Sequence, residues 1–328
     1  MIVRAKLVPF SIVASAAAII SAWPLLAQDS GAVTNGTEPP SRYEFDAGVE
    51  VSGEHIDNIF LTPNNRRSDF VTVLSPWAEM SYRSENFRLN LEANADIGRF
   101  SEYGSEDYED YFLGADALFR INENAFLFGG LDYTIGHEGR ESPDDVGGLV
   151  PTELTEAGAY FGIGGRLDER TYRLGVNVRE LDYDDTPALG GTINNDDRDR
   201  VQTEVGGRIG IARTDSGEFF LQGIYDKREY DQAADDSGYE RSSAGYQAAL
   251  GYTGTFGPFR GEGLIGWMSQ DYDDAAFSTT TTLDFGAELG MSFGPETELD
   301  ATLERSIEET TLTGASGYIS TTGGVRLR

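Results

Sequence analysis

The 328-residue chain contains no cysteine, which excludes disulfides and thiolate metal sites. Histidine is nearly as scarce, with His55 and His137 the two present. Past residue 26 no apolar stretch approaches the roughly 20 residues that a membrane-spanning helix needs. Lysine is close to absent: beyond Lys6 only Lys227 occurs, and the remaining positive side chains are arginines, which pair better with carboxylates. Positive charge is short altogether, since 25 Lys and Arg face 56 Asp and Glu and leave a formal net charge of −31. That acidity argues against nucleic acid as a partner and against simple adhesion to anionic lipid.

What is present begins with an address. Arg4 and Lys6 precede an apolar run over residues 7–26, and Leu25-Leu26-Ala27 offers a small residue for cleavage. This pattern predicts a secretory signal peptide over 1–27, with Gln28 opening the mature chain. Pro9 and Pro24 bracket the run and would break a spanning helix. Loss of Arg4 and Lys6 takes the net charge from −31 to −33. Residues 28–41, with Gly, Thr and Pro39-Pro40, read as a flexible periplasmic leader.

The decisive pattern lies in residues 87–98. Phe87, Leu89, Leu91, Ala93, Ala95 and Ile97 alternate with Arg88, Asn90, Glu92, Asn94 and Asp96. A period of two means a strand with one greasy and one wet face. The same alternation recurs to the end of the chain. Barrel strands escape hydropathy windows, because each needs only about 10 residues and half of them can be polar. The expected fold is therefore all-β: an antiparallel transmembrane β-barrel of about 14 strands over residues 42–328. The strands are placed near 42–55, 69–83, 86–100, 108–121, 124–136, 154–167, 170–183, 199–213, 217–230, 240–254, 259–272, 280–293, 298–308 and 318–328.

Parity assigns the faces. Lipid-facing positions include Leu127, Leu131, Phe161, Ile163, Leu174, Val176, Val205, Ile209, Leu250, Leu283, Phe285 and Leu289. The opposite face gives the candidate lumen-lining residues. Early strands supply Arg88, Glu92, Asp96, Asp116 and Arg120; middle strands supply Arg166, Arg173, Glu204 and Arg208. Late strands supply Arg260, Glu262, Asp284 and Glu288. Arg179, Asp300 and Glu304 share that face. Rows of opposite charge there either shape the field in an open pore or cross-link the wall and leave no path. The pattern is least clean over 219–226, where both faces hold apolar residues.

Connections alternate in length. Tight turns rich in Gly, Pro, Asn, Asp or Ser sit at 83–86, 122–124, 168–170, 214–217, 256–258 and 294–297. Longer polar connections, such as 138–153, 184–198 and 231–239, lie between them. With a periplasmic N-terminus, every long loop falls outside. A soluble β-sandwich would bury its second face and would not need this alternation. Trp77, Tyr82, Tyr172 and Trp267 read as an interfacial girdle, and Tyr160 as a lumen-facing ring able to stack on sugar.

Catalytic and metal signals are weak. His55 and His137 fall near the outer rim, where a histidine could serve a serine nucleophile as base. No spacing singles out Ser52 or Ser142 as that serine. The acidic runs at Asp184-Asp185, Asn194-Asn195-Asp196-Asp197 and Asp235-Asp236 could hold calcium through oxygen ligands, yet none has the spacing of a calcium loop. No cofactor is expected.

The segment His55-Ile-Asp-Asn-Ile-Phe-Leu-Thr-Pro-Asn-Asn-Arg-Arg-Ser-Asp-Phe-Val-Thr-Val-Leu-Ser-Pro resembles the opening of the putative beta-barrel porin 2 family. Gly98-Arg99-Phe100 followed by Ser105-Glu106-Asp107-Tyr108-Glu109-Asp110-Tyr111 adds to the resemblance. It extends over most of the chain, and its specific wording lies in residues 57–75 and 98–111. The resemblance implies an outer-membrane barrel, some members being linked to export of extracellular or capsular polysaccharide. The chain departs from barrel habit at its end, which is Gly323-Gly324-Val325-Arg326-Leu327-Arg328 and not an aromatic. Either the gene is truncated, or the barrel closes with its 14 strands, the last pairing with the first; truncation is the favoured expectation.

The function expected is a non-enzymatic outer-membrane channel, most specifically for polysaccharide export. A general diffusion porin, or a structural or adhesive barrel without an open pore, is the alternative. Expected partners are outer-membrane lipid and lipopolysaccharide, the barrel assembly machinery, the polysaccharide and a periplasmic export component.

Overall fold

The computed structural model describes residues 42–293 and 297–327. The expected signal peptide and leader lie outside the described residues. Sixteen strands follow in chain order. The first seven are β1 (Arg42–Ile56), β2 (Asp69–Arg83), β3 (Phe87–Phe100), β4 (Tyr108–Asn122), β5 (Ala125–His137), β6 (Glu153–Leu167) and β7 (Arg170–Tyr183). Two short strands, β8 (Thr186–Ala188) and β9 (Gly191–Ile193), come next. The last seven are β10 (Arg200–Thr214), β11 (Gly217–Tyr230), β12 (Ser243–Phe256), β13 (Phe259–Tyr272), β14 (Thr280–Ser292), β15 (Glu298–Glu309) and β16 (Gly317–Leu327).

Fourteen of these strands form one antiparallel sheet, each paired with its neighbour in sequence; β8 and β9 fold away as a small hairpin, so β7 pairs with β10. The hairpin was not foreseen from the sequence, being too short to show a period. Tight turns and long loops alternate strictly from β1 to β16. At the β6–β7 turn Asp168 takes φ 55°, a left-handed conformation that Asp tolerates and a hairpin turn requires. Bulges at Arg120/Asn122 in β4 and Gly210/Ala212 in β10 lie toward the turn end, where an extra residue sharpens the local bend.

The sheet curls until strands far apart in order touch across its concave side. Arg208 on β10 reaches Glu262 on β13, and Arg228 on β11 reaches Glu309 on β15. Asp144, in the β5–β6 loop, accepts hydrogen bonds from the Thr310 hydroxyl and the Thr311 amide (3.1 Å) beyond β15. β1 and β16 stand at the two edges of the sheet and are not hydrogen-bonded to each other. The closure of the last strand on the first, one of two expected outcomes, is thus not formed.

The convex side is a continuous apolar band: Leu91, Leu113, Leu131, Phe161, Leu174, Val205, Leu221, Leu250, Ile265 and Leu283 are all exposed there. Aromatic residues flank it. Tyr43, Tyr82 and Phe87 cluster near the turn end (centroids 4.6 and 6.2 Å apart), as do Phe219, Tyr252 and Phe256 (4.8 and 5.1 Å). Toward the loop end stand Tyr133, Tyr225, Tyr246 and Trp267, each widely exposed. Trp77 does not belong to these belts. It shares the concave face with Ser75, and its indole lies over Gly48 of β1, where a Cβ would meet the ring at 2.9 Å. Its phase in β2, not its type, decides its face.

The doubtful stretch of β11 also resolves. Phe220 and Ile224 point into the concave side and are 1% and 4% exposed, while Phe219, Leu221 and Tyr225 face outward. Glycines make the room: a Cβ on Gly251 would meet the Phe220 ring, and one on Gly162 would meet Phe128. Part of the interior is therefore a packed apolar core.

Candidate functional site

A cavity of about 820 Å³ opens on the concave side toward the loop end. Its walls differ in chemistry. From β1, β3 and β4 come Glu50, Glu54, Glu92, Asp96 and Asp110, with Ser52, Asn94 and Tyr108 between them. From β6, β7, β10 and β11 come Glu156, Arg179, Arg200, Glu204, Asp226 and Arg228, with Tyr183 and Tyr230. The first wall is acidic; the second mixes both signs.

Parity places all these side chains on one face, and the curl brings non-neighbouring strands together. Arg179 Nε lies 2.8 Å from Glu156 Oε1. Arg228 bridges Asp226 (3.1 Å) and Glu309, and also donates to the Ile307 carbonyl (3.0 Å). Arg200 sits between the rings of Tyr183 and Tyr230, 5.8 and 5.5 Å from their centroids, where each ring face favours a cation. Tyr230 donates to Glu309 (3.0 Å).

Loops cover part of the mouth. Residues 138, 139 and 141–144 line the cavity from above. Arg198 forms a two-pronged pair with Glu138 (2.7 and 2.9 Å), and Arg140 does the same with Glu106 (2.8 and 3.0 Å). Arg241 is 1% exposed and donates to Asp235 and to the Thr310, Leu312 and Ala315 carbonyls. Buried pairs of this kind hold geometry even where desolvation cancels much of their net stabilisation. Asp199, just before β10, accepts from the Tyr183 amide at 2.7 Å. Burial, with Asp182, Asp196 and Asp231 nearby, pushes its carboxyl up to about 6 against that hydrogen bond.

The sequence-derived candidates divide into three sets. Glu92, Asp96 and Glu204 line the cavity. Asp116, Arg173, Arg208, Glu262, Glu288 and Asp284 stand deeper, in or beside the packed interior. There Arg208 holds Glu262 at 2.7 Å through two nitrogens, donates to Gln222 (2.6 and 3.0 Å) and covers the Phe220 ring at 3.8 Å. Asp116 accepts from Tyr160, whose ring lies 6.3 Å from Phe128, so that tyrosine is engaged by protein. Arg88, Arg120, Arg166 and Arg260 stand toward the turn end, away from the cavity, the last three exposed. Glu50, Glu54, Arg200, Arg228 and Trp77 were not among the candidates. Counting phase from Glu204 and Asp226 reaches the two arginines, and counting from Glu79 reaches Trp77.

Neither histidine meets a serine. His137 Nδ1 lies 2.8 Å from Asp110 and the ring stacks on Tyr108 at 4.2 Å, while Ser142 donates to Glu138 at 2.7 Å. His55 is largely exposed, 3.7 Å from Asp57. No group of three or more metal-ligating side chains occurs among the described residues. The acidic runs are used within the loops: Asp185 accepts from the Asn195 amide (3.3 Å), and Asp235 takes Arg241 and the amides of Ser237 and Tyr239.

An acid-lined, outwardly apolar antiparallel wall matches a known protein family over residues 42–328, that of Putative beta-barrel porin 2. The chain belongs to this family. No match was found among curated proteins. Among solved structures, a bacterial polysaccharide outer membrane secretin is similar, with a TM-score of 0.48 and 14% identity, over 86% of this chain and 96% of that one. Members of a β-barrel porin family share the wall; the chemistry of each lumen is its own.

Proposed function

We propose that this chain is a non-enzymatic outer-membrane channel whose acidic lumen passes cations and hydrophilic chains, and that its specific task is export of a polysaccharide. The observation that carries the reading is the acidic cavity, enclosed by a wall that is apolar outside and charged inside. Such a wall presents hydrocarbon to lipid and water to the lumen, and between its two edge strands each strand satisfies its backbone on its neighbours. Carboxylates on the β1–β4 side set the sign of the field along the path. Membership of the porin family supports the channel, and the link of some members of that family to polysaccharide export suggests the cargo. Lipopolysaccharide would surround the rim, the barrel assembly machinery would insert the wall, and a periplasmic export component would deliver the chain.

Planar-bilayer recording tests this. Protein extracted from outer membranes should give discrete conductance steps, and a potassium chloride gradient should yield a reversal potential of cation-selective sign. A barrel that shifts on gels with heating yet passes no current would overturn the channel. One observation favours that second reading, a structural barrel without an open path. Phe128, Phe220, Ile224 and the Arg208–Gln222–Glu262 network fill part of the interior, and Asp144 ties two distant loops across the mouth.

A further inference from the structure

Trp77 is the most unusual side chain of the cavity wall. An indole in a lipid-embedded barrel normally belongs at the interface, on the outside. This one faces the lumen and lies on Gly48, the residue directly opposite it on β1. Glycine lets the ring sit close to the wall, which turns the other face of the indole toward the cavity. Three other aromatic side chains of the cavity have engagements of their own. Tyr108 stacks on His137, Tyr183 carries Arg198 at 4.0 Å, and the Tyr230 hydroxyl is bound to Glu309.

The surroundings of Trp77 are set by register. On the turn side, Asp46, Glu79 and Glu92 are directly opposite one another on β1, β2 and β3. On the loop side stand Glu50, opposite Ser75, and Asp96. Asn94 lies directly opposite Trp77 on β3 and donates to Glu92 at 3.1 Å. The row makes this stretch of the wall rich in acceptors. Pro76, beside the indole, lacks an N–H, and the β2–β3 pairing skips Ser75 and Pro76 before resuming in the same register. The wall is interrupted where the ring sits.

A flat aromatic face bordered by carboxylates and an amide suits a pyranose. The ring covers the C–H face of the sugar, and the oxygens accept from its hydroxyl or amino hydrogens. The same carboxylates repel a uronic acid. We propose that Trp77 is a sugar-stacking platform in the channel wall, selective for a non-acidic glycan, neutral or bearing amino groups. This rests on the polysaccharide reading above and narrows it.

The sequence holds three tryptophans, of which Trp23 lies in the expected signal peptide. In mature W267F, Trp77 is then the sole indole, so its emission reports directly. Mature W267F extracted from outer membranes would be titrated with cellohexaose, hexaglucosamine and hexagalacturonate. A saturable emission change is expected with the first two, and affinity at least about tenfold weaker with the third. No saturable change with any sugar, or equal affinity for hexagalacturonate, would overturn the proposal. In bilayers, cellohexaose should interrupt the current of the native channel, with about tenfold weaker binding in W77A. W77F, which keeps a ring, should retain part of that binding and controls for misfolding. If ions pass while sugars alter neither emission nor current, the platform fails and the channel stands. If Trp77 responds in a protein that passes no ions, the platform stands and the channel fails.

Discussion

The wall of this barrel has two regions built from the same alternation with opposite results inside. Across β10–β13 the concave positions hold Arg208, Phe220, Gln222, Ile224, Ala249 and Met268, all buried. Across β1–β3 they hold mainly carboxylates, hydroxyls and Trp77, and no residue of β1 is buried. The difference comes from what sits opposite each side chain. Glycines on β6 and β12 accept the rings of Phe128 and Phe220, and Arg208 pairs with the deep carboxylate of Glu262. On β1–β3 the carboxylates face one another, and water is their best solvent. Toward their turn ends β10–β13 close over a solid interior, while their loop ends and β1–β3 border the wet cavity. Any path through the molecule passes along β1–β3.

Deleting a side chain from each region tests that contrast most severely. Phe220→Ala should destabilise by about 3–5 kcal/mol, since it empties a filled interior position, and Trp77→Ala by about 1–2 kcal/mol. Chemical unfolding of the refolded protein in lipid measures both; equal losses would erase the distinction between the regions. The faces of a single strand come next. Leu91→Arg puts a charge on the convex side of β3 and should cost about 2–4 kcal/mol. Glu92→Gln, its neighbour in the cavity, should stay within about 0.5 kcal/mol. Heat-modifiable mobility reports assembly of each, and matching defects would mean that the phase of β3 is misassigned.

The smallest effect belongs to the loops that cover the wet cavity. Asp199, pushed up to about 6, is raised above its unfolded value near 3.9. Its contribution is therefore fully present below about pH 4 and is lost as pH rises through 6. Asp199→Asn keeps an acceptor for Tyr183 and removes the charge. It should leave loop 184–199 unchanged at pH 4 and tighten it at pH 8 by less than about 1 kcal/mol after solvent screening. Hydrogen exchange corrected for its intrinsic rate would show this; a variant that loosens the loop at pH 8 would contradict it.

Much of the wall was legible in the sequence because backbone geometry dictates it. A period of two needs no knowledge of neighbours, and tight turns announce themselves through residues such as Asp168 and Gly257. The strand limits accordingly agree to within a few residues. β12 differs most, starting at Ser243, because Arg241 is drawn into the loop by Asp235 and three carbonyls. Trp77 was misplaced because residue type was weighed above phase. Phe220 and Ile224 were ambiguous for a different reason: an apolar residue facing inward makes sense only once Gly251 and Arg208 are known to meet it. The pairs Arg208–Glu262 and Arg228–Glu309 depend on curvature, which no local pattern encodes.

Those two pairs are chords, joining strands that are not neighbours. A chord cannot close until every strand between its ends is in place. The interactions it makes are accordingly absent while the sheet is still growing. Free energy gained that late slows disassembly and leaves the rate of formation nearly untouched. These two arginines thus act on time: they prolong the life of a finished wall.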